Sequence, residues 1–432
     1  MLQKVKYVPR EILSRVAAHQ EQPEITLITG SRQTGKTVLL SQLKQHLMEN
    51  RGVSERQVFF FNLDLVQDQQ SLSDQAAFIQ FLRDRSQKER IFVFVDEAQK
   101  VPEAPRFFKG VYDSGLNVKL ILTGSASLES KARFKETLAG RKIIFALSPF
   151  SFPEFVMARD EVLADMLAEK TEINPIDRAS LLRLYKEYMR FGGYPRVALA
   201  QGDEQKELLL KEIYSSYVER DVIGFWNIQN PAAFNRLLKL LAAQIGQLVN
   251  ISELATHIGA DRQTVERHLS LLEETFIIKR VSPYFKNPRQ EIVKAGKVYF
   301  LDTGIRNMAL EDMKAVDERN DRGHLFENTV CMELERIKQK QGGNVHFWRT
   351  KQKTEVDFVF EYGAVLVPVE AKYAGVSGNI PRGLQSFIHA FNPSRALIAT
   401  TETGDTSPRL LAHTKIQTVH PFMLEHVMRR DG

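Results

Sequence analysis

ITLITGSRQTGKTVLLSQLKQHL, residues 25–47, decides how the rest of the chain is read. Ile25 to Thr29 suit a buried strand, Gly30 to Thr37 fit the pattern G-x-x-x-x-G-K-[ST], and from Val38 onward apolar residues recur at helical spacing. Strand, glycine-containing loop and helix in that order make a cradle for phosphate. The loop Gly30, Ser31, Arg32, Gln33, Thr34, Gly35 can curl its backbone amides around phosphate oxygens, and the helix N-terminus adds partial positive charge. Lys36 can reach the β- and γ-phosphates of a nucleoside triphosphate, and the Thr37 hydroxyl can ligate magnesium.

A partner for this loop lies some sixty residues on. ERIFVFVDEAQ, residues 89–99, carries five apolar residues and then Asp96 and Glu97, as expected of a buried parallel strand that delivers acids at its carboxyl end. Asp96 is placed to hold magnesium, mostly through water, and Glu97 to act as general base on an attacking water. VKLILTGSAS, residues 118–127, reads as a third buried strand, with Thr123 and Ser125 positioned to sense a phosphate or the water. VFFFNLD, residues 58–64, supplies a fourth. Four strands alternating with helical segments predict a parallel sheet with helices on both faces.

The whole chain of 432 residues suggests two or three domains. Its 43% hydrophobic and 26% charged content is that of an ordinary globular protein. No apolar run of about 18 residues occurs, and the opening MLQKVKYVPREIL lacks an apolar signal core, so a cytoplasmic protein without membrane attachment is expected. The single cysteine, Cys331, excludes an internal disulfide, and no zinc-like spacing is present. A net charge of +6 permits nucleic-acid binding.

Beyond these motifs the sequence turns helical through PIDRASLLRLYKEYMRFGGYP and KELLLKEIYSSYVERDVI, with FGGYP breaking the run as a hinge or turn. NISELATHIGADRQTVERHLSLLEETFIIKRVSPY, residues 250–284, reads as a winged helix-turn-helix. Ser252 caps its first helix, Gly259 makes the turn and Asp261 caps the second. Arg262, Gln263, Arg267 and His268 are expected to face a partner, with Val265, Leu269 and Leu272 inward. From Phe276 to Phe300, Lys279, Arg280, Lys286, Arg289, Lys294 and Lys297 stand against Glu291 alone, a distribution that suits a DNA backbone.

Near the end, RGHLFENTVCMELERIK reads as a helix carrying Glu327, and HFWRTKQKTEVDFVF and AVLVPVEAKY as strands carrying Asp357, Glu370 and Lys372. Alternation puts Glu370 and Lys372 on one face, which Asp357 can join across a hairpin. Glu355 shares the Asp357 face. Paired carboxylates of this kind hold one or two magnesium ions that activate water beside a scissile phosphate, with a lysine to position the nucleophile. A salt-bridged sheet surface is the plainer alternative.

GSRQTGKT, FVFVDEAQ, LILTGSAS, LAGR at 138–141, PFSFPEF at 149–155 and FGGYP resemble a large prokaryotic group of AAA-type ATPases, and the resemblance covers essentially the whole chain. The order helix-Glu, strand-Asp, strand-Glu-x-Lys resembles the core of the PD-(D/E)XK nucleases. These likenesses imply an α/β fold: an AAA-type P-loop core over residues 1–155, a helical lid over 156–235, a winged helix over 236–302 and a restriction-endonuclease-like domain over 303–432. They imply ATP and Mg2+ as cofactors, a homo-oligomer, and Arg141 as the arginine that completes a neighbour's site, with an intramolecular salt bridge as the alternative. The activity expected is MgATP hydrolysis coupled to DNA binding or remodelling, with DNA cleavage as a second activity. The competing expectation is a nucleotide-dependent switch that binds a protein partner through an inactive nuclease-like sheet.

Overall fold

The structure is a computed structural model that describes residues 7–87, 89–125, 137–169, 173–225, 228–285, 295–375, 379–402 and 407–428. The chain divides into two compact units, residues 1–150 with 274–276, and residues 151–273 with 277–432.

In the first unit, strands β1 (Ile25–Gly30), β2 (Val58–Asn62), β3 (Ile91–Asp96), β4 (Val118–Ser125) and β5 (Lys142–Ala146) form one parallel sheet in the order β2-β3-β4-β1-β5. Strand alternation sorts the side chains onto two cores. Ile25, Leu27, Val93, Val95, Leu120 and Leu122 meet Phe78 and Leu82 of α3 (Gln75–Arg85) and Phe107, Phe108 and Val111 of α4 (Ala104–Asp113). Ile28, Phe92, Phe94, Ile121 and Phe145 meet Val16 and Ala17 of α1 (Leu13–Ala18) and Leu39, Leu40, Leu43 and Leu47 of α2 (Lys36–Arg51). Each such side chain contributes about 1.5–3 kcal/mol on burial. The sheet has five strands rather than the expected four. β5 is an edge strand with Ile143 and Ile144 exposed.

The second unit opens with helices Phe152–Arg159, Glu161–Glu169, Pro175–Phe191 and Asp203–Ile213, followed by a π-helical segment, Tyr214–Val222. The first two of these helices pack within their own unit on the chain's last described turns: the Phe152 and Phe422 rings lie 5.7 Å apart, and Leu167 O is 2.7 Å from His426 Nε2. The FGGYP stretch is fixed by a buried carboxylate. Asp302 accepts from Gly193 N at 2.7 Å and Ile305 N at 3.0 Å, and also from the Gly304 amide, capping the helix Thr303–Leu310. Gly192 sits at φ 74°, and a Cβ there would fall 2.3 Å from Asp302 Oδ1, so only glycine fits. Burial raises Asp302 to about 6 although these amides oppose the shift. Arg196, just after the motif, pairs with Glu212 at 2.7 Å.

Helices Ile251–Ile258 and Arg262–Glu274 are joined through Gly259 at φ 68° and lead into an antiparallel hairpin of β6 (Ile278–Val281) and β7 (Lys297–Phe300). Asn250, not Ser252, caps the first helix, accepting from the amides of Ser252 and Glu253. Asp261 caps the second through Thr264 N at 2.7 Å. The chain ends in a mixed six-stranded sheet of β8 (Asn344–Arg349), β9 (Glu355–Tyr362), β10 (Val365–Lys372), β11 (Arg395–Thr400), β12 (Arg409–Leu411) and β13 (Thr414–Val419), in the order β12-β13-β11-β10-β9-β8. The helices Arg322–Gln341 and Arg382–Phe391 accompany it. Among the described residues, no helix is long and apolar enough to cross a membrane.

Candidate functional site

Parallel strands bring their carboxyl ends to one edge, and β1, β3 and β4 bring their polar residues there together. Gly30 ends β1 where a Cβ would lie 2.3 Å from the Leu147 carbonyl oxygen, so the loop can leave the sheet only through glycine. Gly35, at φ 92°, stands directly before α2. The Lys36 ammonium folds back over the loop and donates to the carbonyls of Gly30 at 3.1 Å and Ser31 at 2.9 Å. Burial lowers its pKa, and the fields of Glu97 and Asp96 offset this only in part. A cation so held, desolvated and bonded only to neutral carbonyls, gains when an anion arrives.

The acids are arranged by direct bonds. Thr37 Oγ1 donates to Asp96 Oδ2 at 2.6 Å. Thr123 lies beside Asp96 because Val95 and Leu122 are paired one residue earlier. Its hydroxyl donates to Asp96 Oδ1 and accepts from Glu97 N at 3.0 Å. Glu97 itself takes left-handed backbone angles, φ 59° and ψ 44°, a conformation that costs about 1–3 kcal/mol and bends the chain sharply at the end of β3. Its carboxylate accepts from Gln99 Nε2. The oxygen pair of Thr37 and Asp96 fits a hard divalent cation.

The site has one residue that the motifs do not reveal. Arg10 is buried and bridges the loop to the segment that follows β5: Nη1 donates to Thr34 O and Nη2 to Ser148 O, both at 2.7 Å. Its guanidinium stands 5.0 Å from the centre of the Phe150 ring. Lone arginines outside motifs are common, so nothing in the sequence singles it out.

Arg141 is not brought to this loop. It precedes β5 at the amino-terminal edge of the sheet, where its carbonyl accepts from Ile25 N, and its guanidinium pairs with Asp113 at 2.7 and 3.3 Å. The Ser125 side chain lies outside the described residues.

The four C-terminal residues do come together. The β9–β10 ladder ends at Phe358 and Val369; beyond it Asp357 Oδ2 accepts from Ala371 N at 2.9 Å, and the Glu370 carboxylate takes the Asp357 amide. Lys372 Nζ lies 2.7 Å from Glu370 and 4.0 Å from Asp357. Glu327 accepts from Tyr299 Oη at 2.6 Å. Burial, with Glu327 and Glu370 adding their charge, pushes Asp357 well above the usual carboxylate range, and burial also raises Glu370. Glu327 is held low, because His324, Lys297 and Tyr299 outweigh its burial.

Lys297 corrects an expectation. It does not belong to an outward basic strip: its ammonium is buried 2.5 Å from Glu355 and 3.2 Å from Glu327. Burial would lower its pKa, yet Glu327, Asp357 and Glu355 together push it up. Arg280 is also spent within the fold, bonding Glu273 at 2.5 Å and Glu266 at 3.1 Å. Lys286, Arg289, Glu291 and Lys294 lie outside the described residues. His268 turns inward, 5.2 Å from the Phe234 ring, because position 268 falls on the apolar face with Val265 and Leu272. Arg262, Gln263 and Arg267 are exposed as expected. With Lys297 in place, Glu327, Asp357 and Glu370 do not fit a divalent ion, and among the described residues no group of three or more His, Cys, Asp or Glu side chains stands ready to hold one. Strand period gave a usable signal for Lys297: it shares a face with Tyr299, opposite Val298 and Phe300 of the apolar core.

Comparison with known proteins follows this division. Residues 22–156 match an AAA domain, residues 182–316 a domain of unknown function, DUF8612, and residues 322–415 another, DUF4143. The chain is similar to an uncharacterized protein of Haemophilus influenzae, 26% identical over 342 residues that cover 78% of this chain and 79% of that one. It is 23% identical to an uncharacterized protein of Mycobacterium tuberculosis over 356 residues, 82% of this chain and 71% of that one. A Walker-type ATPase of Pyrococcus abyssi superposes with a TM-score of 0.44 at 17% identity, covering 71% of this chain and 96% of that one. The AAA-domain match over residues 22–156 spans the loop, helix and paired acids described above, so this part of the chain is similar to AAA domains.

Proposed function

We propose that the protein hydrolyses MgATP and couples turnover to the binding or remodelling of DNA, as a cytoplasmic homo-oligomer. The observation that carries the reading is the continuous chain Thr37–Asp96–Thr123–Glu97 beside the Lys36 loop, at one edge of the parallel sheet. In this reading the amides of residues 30–35 bind the phosphates and Lys36 exchanges its two carbonyls for phosphate oxygens. Thr37 and Asp96 would hold magnesium, whose charge offsets that developing on the transferred phosphoryl group. Glu97 takes the proton of the attacking water, with its backbone fixed by Thr123. Arg141, at the far edge of its own sheet, serves a neighbouring subunit. The helices of 156–235 act as a lid, 236–302 as a winged helix whose exposed Arg262, Gln263 and Arg267 meet DNA, and 303–432 as a restriction-endonuclease-like platform.

A second reading, a nucleotide-dependent switch for a protein partner, draws support from Arg280 and Lys297, two basic residues that the fold uses internally. Steady-state ATP hydrolysis with magnesium, alone and with single-stranded, duplex and branched DNA, separates them, with Lys36→Ala as the control for contaminating activity. DNA-stimulated turnover supports the first reading. Turnover indifferent to every DNA form sinks it in favour of the switch.

A further inference from the structure

The acidic site of the C-terminal sheet already contains a cation, and the protein supplies it. Lys297 is carried in by β7 of the hairpin, and its side chain is only 2% exposed. The ammonium bridges Glu355, on β9, and Glu327, on the helix Arg322–Gln341. Glu327 is turned toward β7 by two further features. Tyr299, on the same strand face as Lys297, donates to it at 2.6 Å. Gly246 leaves it room, since a Cβ there would come within 2.9 Å of Glu327 Oε1. The other carboxylates, Asp357 and Glu370, are served by Lys372. One buried oxygen, Glu370 Oε2, stays without a hydrogen-bond partner, so the acids are not fully satisfied by the two lysines.

We infer that Lys297 is the built-in cation of this site: it takes the place that a divalent ion would need and pins the β6–β7 hairpin to the C-terminal sheet. The inference rests on reading that sheet as restriction-endonuclease-like, and it makes the site closed to metal while the hairpin is docked. Buried carboxylates tolerate one another only with a compensating positive charge nearby. Removing the ammonium leaves Glu327 and Glu355 uncompensated beside Asp357 and Glu370, a set of hard oxygen ligands suited to Mg2+ or Mn2+. A divalent ion is then the natural replacement.

The test is manganese binding to the nucleotide-free full chain, followed by electron paramagnetic resonance of free Mn2+, in the wild type, Lys297→Met, Asp357→Asn and the double variant, each checked for folding by circular dichroism. The expected result is no Asp357-dependent site in the wild type and a new one in Lys297→Met, at least about 100-fold tighter than any binding the wild type shows, that disappears in the double variant. A wild-type site lost in Asp357→Asn and no weaker than that of Lys297→Met overturns the inference while leaving the nuclease-like reading intact. A folded Lys297→Met that gains no site overturns both. Should Lys297→Met not fold, Lys297→Gln, which keeps N–H donors but no charge, takes its place with the same two outcomes. ATP turnover measured in parallel keeps failure of the ATPase reading separate, since that failure is absent turnover in the wild type.

Discussion

Two buried lysines, each among carboxylates, are held in opposite ways. Lys36 bonds only to backbone carbonyls, and burial holds its pKa down; Lys297 bonds to two carboxylates, which push its pKa up. The first is a charge waiting for an anion and the second a charge already neutralised. The difference lies in the element that delivers each one. Lys36 follows a glycine loop at a sheet edge, where neighbouring acids are occupied by Thr37 and Thr123 instead. Lys297 sits within a hairpin strand whose polar face is covered by a helix and a sheet. Proximity of a lysine to acids therefore says little about function until their bonds are traced.

If the P-loop site is open and incomplete while the C-terminal acids already hold a lysine, the largest effect falls on a residue outside the loop. Arg141→Ala is expected to lower ATP turnover by about 1,000-fold or more while sparing nucleotide binding, measured by steady-state rate and by fluorescent-nucleotide titration. Normal turnover would reduce Arg141 to a surface partner of Asp113. One substitution made at both lysines sharpens the contrast. Lys297→Met should cost about 3–5 kcal/mol in urea unfolding, because two buried carboxylates lose their cation, and leave turnover within about twofold. Lys36→Met should abolish turnover yet change stability by less than about 1 kcal/mol, since it removes a desolvated charge from neutral partners. Equal stability losses at the two positions would erase the distinction.

The smallest effect concerns a third buried charge. Asp302 has its folded pKa raised from 3.8 to about 6, so its protonated form is favoured in the native state. Its contribution to stability is present in full below the unfolded pKa and is lost as pH rises through about 4 to 6, an effect of about 3 kcal/mol. Comparison of urea midpoints for the wild type and Asp302→Asn across that range should show the wild type alone losing this increment. Parallel slopes would mean that the backbone amides around Asp302 outweigh its burial.

The P-loop part of the chain was legible because its chemistry is local. A strand, a loop and a helix in one stretch of sequence fixed Lys36 and Thr37, and a run of five apolar residues fixed Asp96. Thr123 could be placed at the site but not assigned its bonds, which depend on strand register. β5 was passed over although Ile143 to Leu147 form an apolar run, and Arg10 escaped because its partners lie 24 and 138 residues away. In the second unit the acids Glu327, Asp357 and Glu370 were found from their order, but the lysine among them comes from the hairpin. Net charge counted along a segment cannot tell which of its lysines face outward. His268 and Ser252 failed for a related reason: helix phase decides which of two adjacent polar residues caps or faces a partner, and an error of one or two positions reverses the answer.

Arg10 places the phosphate loop's outer wall upstream of the motif that names it. Gln42 of α2 also holds that segment, through the Val8 carbonyl at 2.7 Å. A chain shortened to begin at residue 13 would keep every letter of GSRQTGKT and still lose the brace that sets the loop's shape. Nucleotide, in turn, should shield the peptide bonds around Arg10 from proteases, making those few residues a reporter of occupancy that needs no label.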